Sequence, residues 1–275
     1  MIDVRDYLRD ETMPHVLCPG CAHGIVLRAF LEAVGRLGLS KDEVAVVAGI
    51  GCSSRLVGHM DFCTLHSTHG RAPAFATGIK LARPELNVVV LTGDGDGLAI
   101  GGNHLIHAAR RNIDLTFLLF NNAIYGMTGG QLAPTTPEGA VASTAPFGNV
   151  EPAFDACELM AAAGATFVAR VVAYEAPKLV DVIEAALAHR GCSFIDVVSD
   201  CPVYYGRYNN LGEGPEMLAG MKRADAAIDG LLADKRFVPH IAPSARPLAV
   251  PTGILHRSDR PEYSQARRRL PANGR

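Results

Sequence analysis

The sequence predicts an α/β fold built on a doubly wound, mostly parallel sheet. Short apolar runs such as Val44 to Ala48 and Val88 to Leu91 have the length and composition of buried strands. Between them, Ala72 to Ala82 has the spacing of a helix, which Arg83-Pro84 ends. Strands that alternate with helices in this way form parallel sheets covered by helices on both faces.

The other predicted elements continue the same alternation. In chain order they are a helix through Val26, Phe30, Ala33 and Leu37, a helical face of Leu98, Leu105 and Ala109, a strand over Leu115 to Phe120, a helix over Pro152 to Ala163, a strand over Phe167 to Val172, a helix through Leu179, Ile183 and Leu187, and a strand over Phe194 to Val198.

Two segments depart from this alternation. Thr128 to Asn149 has glycine, proline and threonine without periodicity, so we expect a long loop that covers part of a ligand site. After Cys201 we expect a helix over Ala224 to Ala233 and then an extended arm marked by Pro239, Pro243, Pro247 and Pro251. We therefore divide the chain into a ligand-binding domain, residues 1–208, and a C-terminal extension that contacts another subunit, residues 209–275.

Composition excludes some classes of partner. The 275 residues are 48% hydrophobic, enough for a sizeable core, and the net charge of −2 argues against binding nucleic acid. No run has the length of a membrane span, and Met1 to Asp6 lacks the apolar stretch of a signal peptide. We expect a cytoplasmic protein with no membrane partner. In that reducing compartment, seven cysteines favour metal or cluster ligation over disulfides.

Oxygen ligands follow two neighbouring strands. Gly93-Asp94-Gly95-Asp96 comes after one strand, and Asn122 comes after the next. Because parallel strands of one crossover end at the same edge of a sheet, Asp94 and Asn122 should face one crevice. A carboxylate and an amide oxygen there can hold Mg²⁺ beneath a diphosphate, which is the layout of a thiamine diphosphate site. A Gly-Asp-Gly segment by itself is also typical of an ordinary turn.

Four cysteines form a second candidate site. Cys18 and Cys21 are a close pair, Cys52 follows a glycine-rich turn, and Cys201 precedes a proline. Their spacing suits a structural zinc or an iron-sulfur cluster, and unrelated buried cysteines are equally compatible with it. The other three cysteines match no ligand motif and are expected to be small buried hydrophobes: Cys63, Cys157 and Cys192.

Four motifs in a fixed order carry a resemblance to a known family. They are HSTHGR at 66–71, GDGD at 93–96, IGGNH at 100–104 and YGMTGGQ at 125–131. In this order they resemble the β subunit of 2-oxoacid:ferredoxin oxidoreductases, and the 2-oxoglutarate branch most. The similarity covers residues 14 to 208, with a weaker match at 253–263.

The resemblance implies three cofactors: thiamine diphosphate, Mg²⁺ and one [4Fe-4S] cluster. The cluster ligands would be Cys18, Cys21, Cys52 and Cys201. The Mg²⁺ ligands would be Asp94, Asn122 and the main-chain carbonyl of Ile124. The diphosphate and thiazolium would be lined by Ile50, Gly51, Cys52, Ser53, His69, Gly95, Asp96, Gly126 and Met127.

Three polar side chains are candidates for binding the substrate. Arg55 suits a carboxylate, and Thr128 and Gln131 can hydrogen-bond a carbonyl or hydroxyl group. Each of these side chains by itself is more often a satisfied structural group. His104 and His107 have the spacing of a metal pair, but the resemblance gives them no ligand role and we expect them to pack within the helix layer.

The resemblance also implies a reaction. A 2-oxoacid, 2-oxoglutarate in the favoured case, would be decarboxylated oxidatively with coenzyme A to an acyl-CoA and CO₂, and ferredoxin would receive the electrons through the cluster. Pyruvate or a branched-chain 2-oxoacid is the alternative substrate. Two other classes stay open: a non-oxidative thiamine enzyme subunit with a structural zinc, and an iron-sulfur electron-transfer module without thiamine chemistry.

A partner subunit is the last implication. Thiamine enzymes use a glutamate on a pyrimidine-binding domain to activate the cofactor, and nothing in this sequence matches that domain. In the family it lies on an α subunit. We therefore expect activity only with that partner, in a heterodimer or a dimer of heterodimers.

Overall fold

Parallel strands dominate the computed structural model, which describes residues 3–226 and 251–270. The strands are β1 (Val44–Ala48), β2 (Cys63–His66), β3 (Asn87–Gly93), β4 (Leu115–Asn121), β5 (Ile124–Tyr125), β6 (Gln131–Leu132), β7 (Phe167–Val172), β8 (Cys192–Val198) and β9 (Gly253–Arg257). Within the described residues, seven of them form one sheet in the order β2, β1, β3, β4, β8, β7, β9, and only β9 is antiparallel to its neighbour. The short β5 and β6 pair with each other.

Helices cover both faces of this sheet. They are α1 (His23–Arg36), α2 (Ala72–Ala82), α3 (Gly102–Arg110), α4 (Ala156–Ala163), α5 (Ala176–Ala188), α6 (Gly214–Ala226) and α7 (Tyr263–Arg268). One core joins α1 and α5 to strand residues such as Leu91, and a second core joins α2, α3 and α4 to Val90. Adjacent residues of β3 thus enter opposite cores, as the alternation of side chains in a strand requires. The predicted doubly wound α/β fold is confirmed.

The register of β3 and β4 positions the candidate site. The two strands are parallel neighbours, and Gly93 lies opposite Phe120. Asp94 and Asn122 follow directly at the same edge of the sheet. Ligands of open α/β sheets bind at this edge, beyond the carboxyl ends of the strands.

Strand β2 was not predicted from the sequence. It is an edge strand whose residues Cys63–His66 are exposed or half-buried. Because it lacks an apolar run, the periodicity that indicates buried strands is missing. Its exposed Cys63 is not the buried hydrophobe that we expected, whereas Cys157 and Cys192 are buried as expected.

The C-terminal region differs from the expected helix and arm. Helix α6 begins at Gly214, ten residues before the predicted start at Ala224, and residues 227–233 of that prediction lie outside the described part of the chain. Three of the four arm prolines, Pro239, Pro243 and Pro247, also lie outside it. From Gly253 onward the chain adds β9 to the sheet. The division at residue 208 stays a prediction.

The segment after β5 contains more structure than the long loop predicted for Thr128 to Asn149. Gln131–Leu132 forms β6 and folds back on Ile124–Tyr125.

Helix α4 begins at Ala156, not at the predicted Pro152. The Asp155 carboxylate accepts hydrogen bonds from the Cys157 and Glu158 N–H groups and so caps the helix there.

No helix among the described residues is both long and apolar enough to cross a membrane. The cytoplasmic location stays a prediction.

Candidate functional site

The turns after β1, β3 and β4 enclose one cavity of about 540 Å³, its open mouth included. A concave site at the strand ends of an α/β sheet is where a small-molecule ligand or cofactor usually binds. Thirteen of the predicted site residues line it: Ile50, Gly51, Cys52, Ser53, His69, Asp94, Gly95, Asp96, Asn122, Ile124, Gly126, Met127 and Thr128. The residues that line the cavity without having been predicted are His23, Gly93, Phe120 and Tyr125.

Asp94 is held at the floor of the cavity. Its side chain is buried, and its two oxygens accept hydrogen bonds of 2.8 Å from the Gly95 N–H and the Thr135 hydroxyl. Burial raises the pKa of Asp94 to about 7 because a carboxylate loses its hydration there. A cation bound at this carboxylate would stabilise its negative charge in place of the lost water.

Asn122 and Ile124 are brought to the same cavity by an unusual backbone. Ala123 between them has a φ of 61°, in the left-handed region that residues with a Cβ seldom adopt. The Thr136 hydroxyl donates to the Ala123 carbonyl at 2.6 Å and holds this turn. Both neighbours consequently line the cavity, Asn122 before the turn and Ile124 at the start of β5.

Thr135 and Thr136 are functional neighbours that the sequence analysis missed. Both are fully buried and lie in the loop that we expected to cover the site. Their hydroxyls reach Asp94 and Ala123, which places this loop against the predicted Mg²⁺ ligands. Threonine in an aperiodic segment gives no signal from which such contacts could be found.

Asp96 organises the wall of the cavity. Its Oδ1 atom accepts from the Gly70 N–H at 2.7 Å and the Ile50 N–H at 3.2 Å, and it lies 2.5 Å from the Nδ1 atom of His69. Its Oδ2 atom accepts from the Thr92 hydroxyl at 2.7 Å. Both carboxylate oxygens are therefore occupied by protein groups.

Two glycines leave room for this wall. A Cβ atom at Gly49 would lie 2.1 Å from the Oδ2 atom of Asp96, and one at Gly95 would lie 2.3 Å from the ring of Tyr125. The Tyr125 hydroxyl donates to the Gly95 carbonyl at 2.8 Å. The absence of a Cβ atom at both positions therefore lets Asp96 and Tyr125 pack against the backbone.

The four cysteines selected by the resemblance converge beside the cavity. The Cys52 thiol interacts electrostatically with those of Cys18 and Cys201, and the Cys21 thiol with those of Cys52 and Cys201. A Cβ atom at Gly126 would lie 3.4 Å from Cys201 Sγ and 3.7 Å from Cys52 Sγ. Burial raises the pKa of Cys21 to about 12 and that of Cys52 to about 11. These thiols would ionise only beside a positive group such as a metal.

Unpartnered polar atoms adjoin these cysteines. Among the described residues, the Ser54 and Ser199 hydroxyls and the Oδ2 atom of Asp200 are buried without a hydrogen-bond partner. Each lies within two residues of Cys52 or Cys201. Buried polar groups are nearly always satisfied, so this polar surround fits a site that binds a further group. Among those same residues, no group of three or more His, Cys, Asp or Glu side chains is arranged to hold a metal ion.

The candidate substrate residues are less closely grouped. Thr128 lines the cavity, and its hydroxyl donates to Gln131 Oε1 at 2.5 Å, while Gln131 Nε2 donates back to the Thr128 carbonyl at 2.8 Å. Arg55 is exposed and Gln131 half-buried, and neither lines the cavity. Their substrate roles stay predictions.

A buried ionic network lies behind Asn122. Arg170 donates to Asp196 Oδ2 at 2.8 Å and to Asp155 at 2.6 Å. Asp196 Oδ1 also accepts from the Asn121 amide at 3.0 Å. The network therefore ties the end of β4 to β7 and β8. The three charged residues of the network are 34 or more positions from Asn121 in the sequence, so the sequence spacing does not indicate the network.

A family model, the thiamine pyrophosphate enzyme C-terminal TPP-binding domain, matches residues 49–197. This range includes the turns after β1, β3 and β4. The fold and the cavity thus define a thiamine pyrophosphate-binding domain of the thiamine enzymes.

Comparison with similar proteins shows which kind of thiamine enzyme this chain resembles. The 2-oxoglutarate synthase subunit KorB of Archaeoglobus fulgidus is 59% identical over 199 residues, which are 72% of this chain and 74% of that protein. The KorB subunit of Methanothermobacter marburgensis is 55% identical over 216 residues, 78% of this chain and 76% of that one.

A solved structure agrees with them. It is described as 2-oxoglutarate:ferredoxin oxidoreductase from Magnetococcus marinus with 2-oxoglutarate, coenzyme A and succinyl-CoA bound. Its chain is 31% identical, superimposes with a TM-score of 0.79 and covers 97% of this chain and 89% of its own. The present chain belongs to the family of 2-oxoacid:ferredoxin oxidoreductase β subunits. The predicted family and enzyme class are confirmed.

Proposed function

We propose that this chain is the β subunit of an oxidoreductase that converts 2-oxoglutarate, coenzyme A and ferredoxin to succinyl-CoA, CO₂ and reduced ferredoxin. The observation that carries the proposal is the placement of Asp94, Asn122 and the Cys52 turn around one cavity at the carboxyl ends of parallel strands. In this proposal a metal-diphosphate site and a cysteine site would be adjacent. This adjacency is what electron transfer out of a thiamine-bound substrate requires.

The cavity fits thiamine diphosphate with Mg²⁺. Asp94, Asn122 and the Ile124 carbonyl supply the oxygen ligands that Mg²⁺ prefers. A divalent cation at Asp94 would replace the proton that burial favours on this carboxyl group. A Cβ atom at Gly51 would meet no protein atom within 4 Å, so this turn leaves open space beside the backbone for a diphosphate.

A [4Fe-4S] cluster is the group that we propose for the four cysteines. Four free cysteines from three distant segments interact with one another next to the cavity, and thiolates are the usual ligands of such clusters. The buried hydroxyl groups of Ser54 and Ser199 lie close in sequence to two of the four. Hydrogen bonds and burial around a cluster set its reduction potential.

The chain's own residues have distinct tasks in this proposal. When bound, thiamine diphosphate supplies the carbanion chemistry that splits CO₂ from a 2-oxoacid. Asp94 and Asn122 would hold the metal and so fix the diphosphate. His69, oriented by Asp96, would present its second ring nitrogen to the cavity. Thr128 would meet the substrate at the mouth.

The substrate and the partner are assigned from the relatives. Both KorB relatives are named 2-oxoglutarate synthase subunits, and the solved relative is described with 2-oxoglutarate and succinyl-CoA bound. The subunit names support an α partner, which we propose carries the pyrimidine-binding domain and its glutamate. Ferredoxin is the proposed acceptor.

The test is reconstitution. The chain should be assayed alone and with its α subunit, anaerobically, with thiamine diphosphate, Mg²⁺, coenzyme A and ferredoxin. We expect iron and acid-labile sulfide in the chain, a brown colour, and turnover of 2-oxoglutarate only in the complex. Faster turnover of pyruvate or 2-oxoisovalerate would reassign the substrate. Zinc in place of iron would favour the non-oxidative class, and full turnover by the isolated chain would refute the partner assignment.

A further inference from the structure

His23 is a cavity residue to which neither the sequence motifs nor the family resemblance gives a role. It is the first residue of α1 and lies two positions after Cys21. Its ring packs edge-on against Phe120, with ring centroids 4.9 Å apart and planes at 77°, and it lines the cavity. This contact fixes the ring at the end of β4.

The ring nitrogens of His23 are unsatisfied. The residue is 2% exposed, and neither Nδ1 nor Nε2 has a hydrogen-bond partner among the described residues. A neutral imidazole carries one N–H donor and one acceptor, and leaving a buried donor unpaired is unfavourable. A histidine in this position is therefore expected to bond to a ligand in the cavity.

The register of the sheet indicates which part of the ligand lies there. Phe120, which supports the ring, is opposite Gly93 in the pairing of β3 with β4, and Gly93 precedes Asp94. The Ser53 hydroxyl is also at this end, 3.6 Å from a Cβ atom built on Gly93. His23 thus shares the Asp94 end of the cavity, where the proposed function puts the diphosphate.

We infer that His23 is a cofactor contact that donates a ring N–H hydrogen bond to a diphosphate oxygen of thiamine diphosphate. Phosphate oxygens are strong acceptors, whereas the thiazolium ring is cationic and offers a donor nothing comparable. The inference rests on the proposed function, because it presumes that this cofactor fills the cavity. The proposed cluster at the cysteines, one of which is two positions before His23, is the other negatively charged group that the ring could contact. The experiment distinguishes a contact with the diphosphate from a contact with the cluster.

The first measurement is the affinity of the complete αβ complex for thiamine diphosphate, by isothermal titration calorimetry at fixed Mg²⁺. His23→Phe keeps an aromatic ring against Phe120 and removes both nitrogens. We expect it to weaken binding about tenfold or more, and His23→Asn, which retains an N–H donor, to weaken it less. The matched control is His59→Phe, because His59 is also buried but pairs with Thr12 at 3.1 Å and does not line the cavity.

The second measurement uses the wild-type complex and so does not depend on how the variants fold. With ¹⁵N-labelled histidine, the ring resonances of His23, assigned by their absence from His23→Asn, should shift when thiamine diphosphate is added. Iron content and the cluster's reduction potential should be the same in His23→Phe as in the wild type. Unchanged affinity and an unmoved resonance would overturn the inference, as would an altered cluster potential with normal cofactor affinity. Failure of the wild-type complex to bind thiamine diphosphate would instead refute the proposed function.

Discussion

The Nδ1 atom of His69 lies 2.5 Å from the Oδ1 atom of Asp96, a carboxylate that is 3% exposed. Because a carboxylate only accepts hydrogen bonds, the His69 nitrogen that faces it, Nδ1, carries a proton. Asp96 also accepts from the Ile50 and Gly70 N–H groups. One buried carboxylate thus sets both the tautomer of His69 and the shape of the turn after β1.

Asp96→Asn should weaken thiamine diphosphate binding through His69. The His69 ring and the Ile50 and Gly70 N–H groups all bond to the same Asp96 oxygen, Oδ1. An asparagine oxygen can keep these bonds but is uncharged, so it holds the His69 ring more weakly. We expect a loss of affinity of about tenfold. The ¹⁵N shifts of His69 should report the weaker hydrogen bond at Nδ1. In a His69→Gln background the same Asp96→Asn change should have much less effect; full additivity of the two losses would disprove the coupling.

Asp94→Ala should reduce binding of thiamine diphosphate by removing a charged ligand of Mg²⁺, while the cluster is retained, because the two sites use separate ligands. Asn122→Ala should act in the same direction and less strongly. Asp42→Ala, in an exposed turn, is the control. Titration of the cofactor at several Mg²⁺ concentrations measures the effect, and unchanged affinity in both variants contradicts the metal assignment.

Cys201→Ala should lose iron and the reduction of ferredoxin, because the remaining three thiolates cannot complete the proposed cluster. Cys63→Ala should lose neither, since Cys63 is exposed on the edge strand β2, outside the cavity. Iron and acid-labile sulfide analysis of the purified variants decides this. A full complement of iron in Cys201→Ala would remove that residue from the ligand set.

Arg170→Met should destabilise the fold. The change leaves the carboxylates of Asp155 and Asp196 buried without their cation, and breaking a buried ion pair costs about 3–5 kcal/mol. Arg36→Met, which breaks ion pairs on the surface, should change stability little. Chemical denaturation of the two variants in parallel gives the comparison, and equal midpoints would show that the buried network contributes nothing.

His189 should make stability depend on pH. Burial, helped by the charge of Arg257, lowers its pKa, while its Nε2 atom lies 2.8 Å from the Thr166 hydroxyl. A histidine whose pKa is lower in the folded state stabilises the fold above its unfolded pKa of about 6.5, and this contribution is lost as pH falls through the folded value. The melting temperature of the wild type should therefore fall more steeply below pH 6.5 than that of His189→Gln. Parallel curves would exclude the effect.

The sequence by itself determined the order of the layers and the main positions of the site. Apolar runs such as Val88 to Leu91 and the helical spacing between them are local patterns, and local patterns specify strands and helices well. Right-handed parallel crossovers then bring consecutive strand ends together. This rule alone places Asp94 and Asn122 at one edge, where the structure has them.

Only the tertiary structure decided which side chains surround those positions. Thr135 bonds to Asp94 across 41 positions of the chain, and Asp96 to His69 across 27. His23 lines the cavity because the first residue of α1 lies against Phe120 near the end of β4. Such contacts depend on how separate elements meet, and the residues involved have no periodicity that marks them.

The edges of the sheet show the same limit. The edge strand β2 has little apolar pattern because most of its residues are exposed to solvent. Strand β9 lies far from β8 along the chain and pairs antiparallel to β7. Asn112 ties the segment after β9 to the body of the fold by donating to the Arg260 and Pro261 carbonyls. A strand can pair with a sheet edge wherever unpaired backbone N–H and C=O groups are available. Because every residue type has a similar backbone, the order of side chains does not indicate this pairing.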